Sequence, residues 1–145
     1  MINAKEPLMG RFSVEVELAN DKDIVRAETG VVSPEQVRRV RIRGVIDSGA
    51  TRLVIPESVA VKLGLEYSGK VTVRYADGRT ADRSLAQRVN LSYGGRTSVF
   101  NAIVEPGRES VLVGAIVLED LDFLVDCIGQ RLVPRDPKQI ISEAE

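Results

Sequence analysis

The sequence predicts a mainly β fold: a closed or strongly curved antiparallel β domain with one or two short helices. Three observations point that way. Short alternating or wholly apolar runs recur along most of the chain, hairpin-type turn dipeptides separate several of them, and only two stretches carry helical spacing. A length of 145 residues suits one domain able to bury its own core. The expected organisation is a single domain over 1–145, with N-terminal strands over 1–40, a core over 41–134 and a polar tail over 135–145.

Each element has its own justification. Phe12, Val14, Val16 and Leu18 alternate with Ser13, Glu15 and Glu17, the pattern of a half-buried strand. Asn20 to Asp23 reads as a turn and Ile24 to Ala27 as a second extended piece. Ser33-Pro34-Glu35 breaks the chain. From Arg38 to Arg43 basic residues alternate with Val40 and Ile42, which reads as the solvent face of a strand leading to Asp47. Leu53, Val54 and Ile55 form an apolar run ended by Pro56. A short helix follows, with proline and acid in its first turn, Val59, Val61 and Leu63 as its stripe, and Gly64 at its stop.

Val71 to Tyr75 and an arm from Arg79 flank Asp77-Gly78, a strong hairpin signal. Two longer strands, Ser84 to Tyr93 and Arg96 to Val104, are joined by Gly94-Gly95. Val111 to Gly114 is a short apolar strand, and Ala115 to Leu121 fits one or two helical turns. Phe123 to Val125 and Arg131 to Val133 form a last hairpin around Ile128-Gly129-Gln130, with Asp126 as its turn residue and Asp120 and Asp122 as surface residues at a helix end.

Composition excludes several chemistries. There is no histidine, so Ser-His and Cys-His nucleophilic machinery and His-based metal sites are ruled out within the chain. Cys127, the single cysteine, allows no intrachain disulfide and lies in an apolar segment, where a buried structural thiol is expected. Twenty basic and 21 acidic side chains nearly cancel, and no aromatic platform accompanies the arginine run, so no nucleic-acid partner is expected. Neither a signal peptide nor a membrane-length apolar run opens the chain, which makes a cytoplasmic, non-membrane protein the expectation.

The most informative stretch is Val45-Ile46-Asp47-Ser48-Gly49-Ala50-Thr51. A β-branched strand delivers a carboxylate to a tight turn, and Gly49 has no Cβ to keep another group away. Asp-Ser-Gly alone is an ordinary turn composition. Combined with the Pro-ended apolar run, the Asp-Gly hairpin and Val-Leu-Val-Gly before a short helix, it resembles the retropepsins, the retroviral-type aspartic proteases and their bacterial relatives.

That resemblance spans roughly Arg41 to Pro134. It implies Asp47 as the catalytic acid, Ser48, Gly49 and Ala50 as its supporting turn, and Tyr75, Ala76, Asp77 and Gly78 as a flap over substrate. It also implies that Val111 to Gly114 packs beside the catalytic loop. Ala115-Ile116 departs from the arginine and polar residue of many viral members, so their salt bridge at the dimer base does not carry over. Tyr75 reads equally well as a packing residue or a groove residue.

Only one Asp-Ser/Thr-Gly occurs, so the second carboxylate is expected from Asp47 of another copy in a homodimer. Two such acids share one proton. The ionised member takes a proton from water while the other donates to the scissile carbonyl, with no cofactor or metal and with activity highest on the acidic side of neutral. A peptide or protein substrate would bind as an added strand. The alternative is a non-catalytic peptide-binding or assembly module on the same fold.

Overall fold

A computed structural model describes residues 11–136 and Lys138. Expectations for the first ten residues and for most of the tail lie outside the described residues. The strands are β1 (Arg11–Asn20), β2 (Arg39–Asp47), β3 (Leu53–Pro56), β4 (Tyr67–Arg74), β5 (Thr80–Tyr93), β6 (Arg96–Glu105), β7 (Val111–Val113), β8 (Phe123–Asp126) and β9 (Arg131–Pro134). Three short helices, α1 (Asp21–Glu28), α2 (Glu57–Leu63) and α3 (Ala115–Asp120), and a 3₁₀ turn at Pro34–Gln36 complete it.

Neighbouring strands run in the order β1-β2-β7-β3-β6-β5, and β5 pairs back onto β1, which closes a six-stranded barrel. β4 hangs from β5 outside that ring, and β8 pairs with β9 as a separate ribbon. The barrel is mixed rather than antiparallel: β2–β7 and β3–β6 are parallel, whereas β3–β7 and the remaining pairs are antiparallel. β7 causes much of this, because it inserts between β2 and β3. Val111 and Val113 face the buried core, and Leu112, on the other face, lines a cleft, so all three positions read as apolar.

The buried side chains form one cluster inside the ring. Leu18, Ile46, Ile55, Val89 and Val111 are fully enclosed, each worth about 1.5–3 kcal/mol in burial. Alternation holds on β2: Arg39, Arg41 and Arg43 are exposed, while Val40 and Ile42 pack against the cluster. β1, the predicted N-terminal strand, closes the barrel by pairing with β2 along its length and with β5 at its end.

Three expectations need correction. The segment read as a turn plus an extended piece is α1. The Asn20 side chain accepts the Asp23 N–H at 3.1 Å as an N-cap, and Asp21 and Asp23 sit in the first turn with Arg26 in the last. Asp23 is buried because Arg38 meets it with Nε at 2.8 Å, Nη2 at 3.0 Å and its backbone N–H at 3.0 Å. Cys127 is exposed, since the β8–β9 ribbon carries it beyond the barrel. Asp122 is no free surface residue: its two carboxylate oxygens share the Arg135 Nε–H at 2.8 and 2.9 Å, and its side chain is 13% exposed.

Two turn expectations hold, and the expected α2 stripe holds only in part. Gly64 ends α2 in the left-handed region, at φ 63°. Val59 and Leu63 are buried, with Ala60 beside them in place of the exposed Val61. Asp126 accepts the Gly129 N–H and Arg131 Nε within the β8–β9 turn.

Candidate active site

β2 ends at Asp47 and the chain must reach β3, yet β7 lies between the two strands. The connecting turn, residues 48–52, therefore passes over the end of β7. It is tied there by hydrogen bonds from the Ala115 N–H to the Ala50 carbonyl (2.8 Å) and from the Ile116 N–H to the Thr51 carbonyl (3.0 Å). Gly114 makes this passage possible. A Cβ at that position would lie 2.6 Å from the Arg52 carbonyl oxygen and 2.7 Å from the Thr51 carbonyl carbon, both backbone atoms. The predicted packing of the apolar-apolar-Gly strand beside the Asp47 turn is thus a backbone-to-backbone contact that only glycine allows.

Asp47 is held within that turn. Its Oδ1 accepts the Gly49 N–H at 3.0 Å, and its carbonyl accepts the Ala50 N–H at 3.1 Å. Oδ2 meets an Arg11 guanidinium nitrogen at 2.7 Å. The residue is 9% exposed and opens onto a cleft of about 910 Å³. Gly49 and Ala50 line the same cleft, and a Cβ on Gly49 would come 3.3 Å from Asp47 Oδ1. Ser48 is exposed and bonds to none of the described residues.

The opposite wall comes from β4 and the hairpin after it, from Val71 to Ala76. Tyr75 and Ala76 line the cleft, whereas Asp77 and Gly78 form the exposed tip. The Asp-Gly turn behaves as its residues require. Gly78 has φ 86° and donates to the Tyr75 carbonyl, and Asp77 Oδ1 accepts the Arg79 N–H at 2.9 Å. Backbone and side-chain bonds from Arg79 hold the Asp77 carboxyl below its usual range.

Tyr75 both lines the cleft and packs against its neighbours. While lining the cleft it donates its hydroxyl to Glu105 at 2.8 Å, and Arg83 Nε lies 3.0 Å from the hydroxyl oxygen and 2.8 Å from Glu105. Burial, then the Glu105 carboxylate that accepts its proton, push the Tyr75 phenol above its usual range. The Arg79 and Arg83 guanidinium carbons lie 5.6 and 5.9 Å from the centre of its ring. The β4 hairpin is thereby moored to β6 on the barrel.

Several cleft residues escaped the sequence reading: Arg11, Arg52, Glu105 and Arg108 among the polar ones, Val54, Ile103 and Leu112 among the apolar ones. Arg11 carried no local signal: it meets Asp47 because the β1–β2 register sets the two residues directly opposite each other. Among the described residues no group of three or more His, Cys, Asp or Glu side chains has metal-binding geometry, and no helix is long and apolar enough to cross a membrane.

A family profile for aspartyl proteases matches residues 34–118, a span that contains the Asp47 turn, the β4–β5 hairpin and Gly114. The chain belongs to the aspartyl protease family. Among solved structures it resembles the retroviral protease-like domain of Ddi1 from Leishmania major, at 14% identity over 83% of this chain and 86% of that one, with a TM-score of 0.52. A retropepsin-like aspartic protease from Rickettsia conorii also matches, at 17% identity, 80% and 87% coverage and a TM-score of 0.44. No curated protein sequence matches. The fold is therefore the retropepsin-like barrel that the sequence resemblance implied, with mixed rather than purely antiparallel strand pairing.

Proposed function

We propose that this aspartyl protease is an endopeptidase that works as a homodimer, with Asp47 of each copy flanking one water molecule. The observation that carries the reading is the setting of Asp47: a mostly buried carboxylate, braced by the Gly49 N–H, at the edge of a cleft of about 910 Å³. The cleft's other carboxylate, Glu105, is already engaged by Tyr75 and Arg83. An internal partner for Asp47 is thus lacking among the described cleft residues, and a second copy supplies it by symmetry.

In that assembly the two carboxylates hold a single proton between them. The ionised one removes a proton from water as the oxygen attacks the peptide carbonyl, and the protonated one donates to the developing oxyanion. β4, paired on one side only among the described strands, offers its free edge to the backbone of the substrate. Tyr75 and Ala76 would close over the peptide from the hairpin, and Val54, Ile103 and Leu112 supply apolar contact.

One observation favours a second reading, a peptide-binding module without turnover. Arg11 occupies Asp47 Oδ2 at 2.7 Å, and a carboxylate so engaged must loosen before it can act on water. The test is cleavage of a broad peptide library across acidic to neutral pH by wild type and Asp47→Asn, with solution mass measured in parallel. The endopeptidase reading expects wild-type cleavage, its loss in Asp47→Asn and a dimer for both. No wild-type turnover, or undiminished turnover by Asp47→Asn, overturns it.

A further inference from the structure

The charge balance of the cleft is the reverse of the chain's. The whole sequence carries a formal net charge of −1, yet the cleft is lined by Arg11, Arg52, Arg74 and Arg108 against only Asp47 and Glu105. Both acids are matched: Asp47 by Arg11 at 2.7 Å and Glu105 by Arg83 at 2.8 Å. No carboxylate among the described residues lies within ion-pair distance of Arg52, Arg74 or Arg108.

These three cations come from separate segments: the turn after Asp47, the end of β4, and the loop between β6 and β7. Arg108 is also fixed in place, donating from Nε to the Ser110 carbonyl at 2.7 Å. Burial holds its guanidinium below the usual range, with Arg11 and Arg43 adding to that effect and Glu105 and Asp47 opposing it.

We infer that the cleft selects peptides carrying Asp or Glu side chains beside an apolar stretch, with Arg52, Arg74 and Arg108 as the residues that recognise them. Val54, Val71, Val73 and Leu112 line the same cleft as these cations, so such a peptide meets both kinds of surface. Excess positive charge in a partly enclosed cleft raises the local concentration of acidic ligands and disfavours basic ones. A single-stranded nucleic acid is a poorer fit. Tyr75 is the one aromatic lining residue, its hydroxyl is engaged and two guanidinium groups lie near its ring, so no stacking platform is open.

The inference rests on the protease reading for the position of the peptide, and the test separates the two. Peptides with one apolar centre and flanking Glu, Gln or Lys are compared at low salt and at about 0.5 M salt. For wild type, kcat/KM should favour Glu over Lys by about tenfold or more, with the gap narrowing in high salt. In the Arg52→Gln/Arg74→Gln double variant the Glu-to-Lys ratio should fall toward one. Cleavage of all three peptides with no charge preference overturns the inference while leaving the protease reading intact. The same peptides, fluorescently labelled, are titrated into Asp47→Asn. A Glu preference in binding there, without any wild-type turnover, sinks the protease reading but keeps the recognition. Equal binding of Glu and Lys peptides, or tighter binding of a labelled single-stranded oligonucleotide, refutes the recognition.

Discussion

Replacing Gly114 with alanine tests how the barrel aims Asp47. The new Cβ would stand 2.6 Å from the Arg52 carbonyl oxygen, 2.7 Å from the Thr51 carbonyl carbon and 2.8 Å from the Arg52 nitrogen. Ordinary contact begins near 3.4 Å, so the two segments must separate by roughly 0.8 Å. No flexible side chain can absorb that movement, because every atom met is backbone. The Thr51 and Ala50 carbonyls are also tied to the Ile116 and Ala115 N–H groups, so those bonds must lengthen too. Overpacking of this kind costs about 1–3 kcal/mol. At about 2–4 °C per kcal/mol for a chain of this size, Tm should drop by roughly 2–12 °C. The displaced turn carries Asp47 three residues upstream of Ala50, and a misplacement near 1 Å lowers turnover by about 100-fold. Thermal unfolding followed by circular dichroism, with kcat/KM on a cleavable peptide, reads both effects. Ile116→Ala, a change at a half-exposed position on α3, serves as the control and should leave both within error. A Gly114→Ala protein with wild-type Tm and turnover would show that the contact does not position the turn.

Two further changes probe the moorings of the site and of α1. Tyr75→Phe removes the hydroxyl that Glu105 accepts at 2.8 Å but leaves Arg83 on Glu105, so the fold should persist while the hairpin loosens. KM should rise about 2- to 10-fold with kcat less affected; an unchanged KM would show that the hairpin does not need this bond. Asp23→Asn deletes the charge that receives the Arg38 fork, costing about 1–3 kcal/mol near neutral pH. The Arg38 hydrogen bond holds the folded Asp23 carboxyl below its unfolded value, so its contribution is present above that unfolded value and is lost as pH falls through the folded one. The Tm gap between wild type and Asp23→Asn should therefore be wide at pH 7 and shrink toward pH 3. An equal gap at both pH values would remove the ion pair as the cause.

Much of the fold was legible because its signals are local. Alternation marked β1 and β2, Asp77-Gly78 and Gly94-Gly95 marked two hairpins, and Gly64 marked the end of α2. The errors arose where tertiary contacts outweighed local pattern. Asp21 and Asp23 read as turn residues because Asn20-Asp21-Lys22-Asp23 is a run of polar, turn-type residues. Their burial depends on Arg88 at 2.6 Å from Asp21 and on Arg38 at 2.8 Å from Asp23, partners 67 and 15 residues away. The parallel pairings were hidden for a similar reason. A three-residue strand such as β7 fixes its neighbours only once the barrel closes, and no periodicity records that it lies between β2 and β3.

The site shows the same division. Asp47 and its turn could be read directly, because a strand entering Asp-Ser-Gly is a contiguous pattern. Arg11 could not, since its contact depends on register: a shift of one residue in the β1–β2 pairing would turn its side chain to the other face of the sheet. The cationic surroundings depend on closure as well. Arg52, Arg74 and Arg108 are spread over 57 residues of sequence and share one cleft only because the fold brings the Asp47 turn, the end of β4 and the β6–β7 loop together. Chemistry at the reacting atom is thus encoded in a short stretch, whereas selectivity is encoded in the topology. It follows that substitutions at Arg52, Arg74 and Arg108 could change which peptides are accepted while leaving the Asp47 turn, its Gly49 brace and its Gly114 contact as they are.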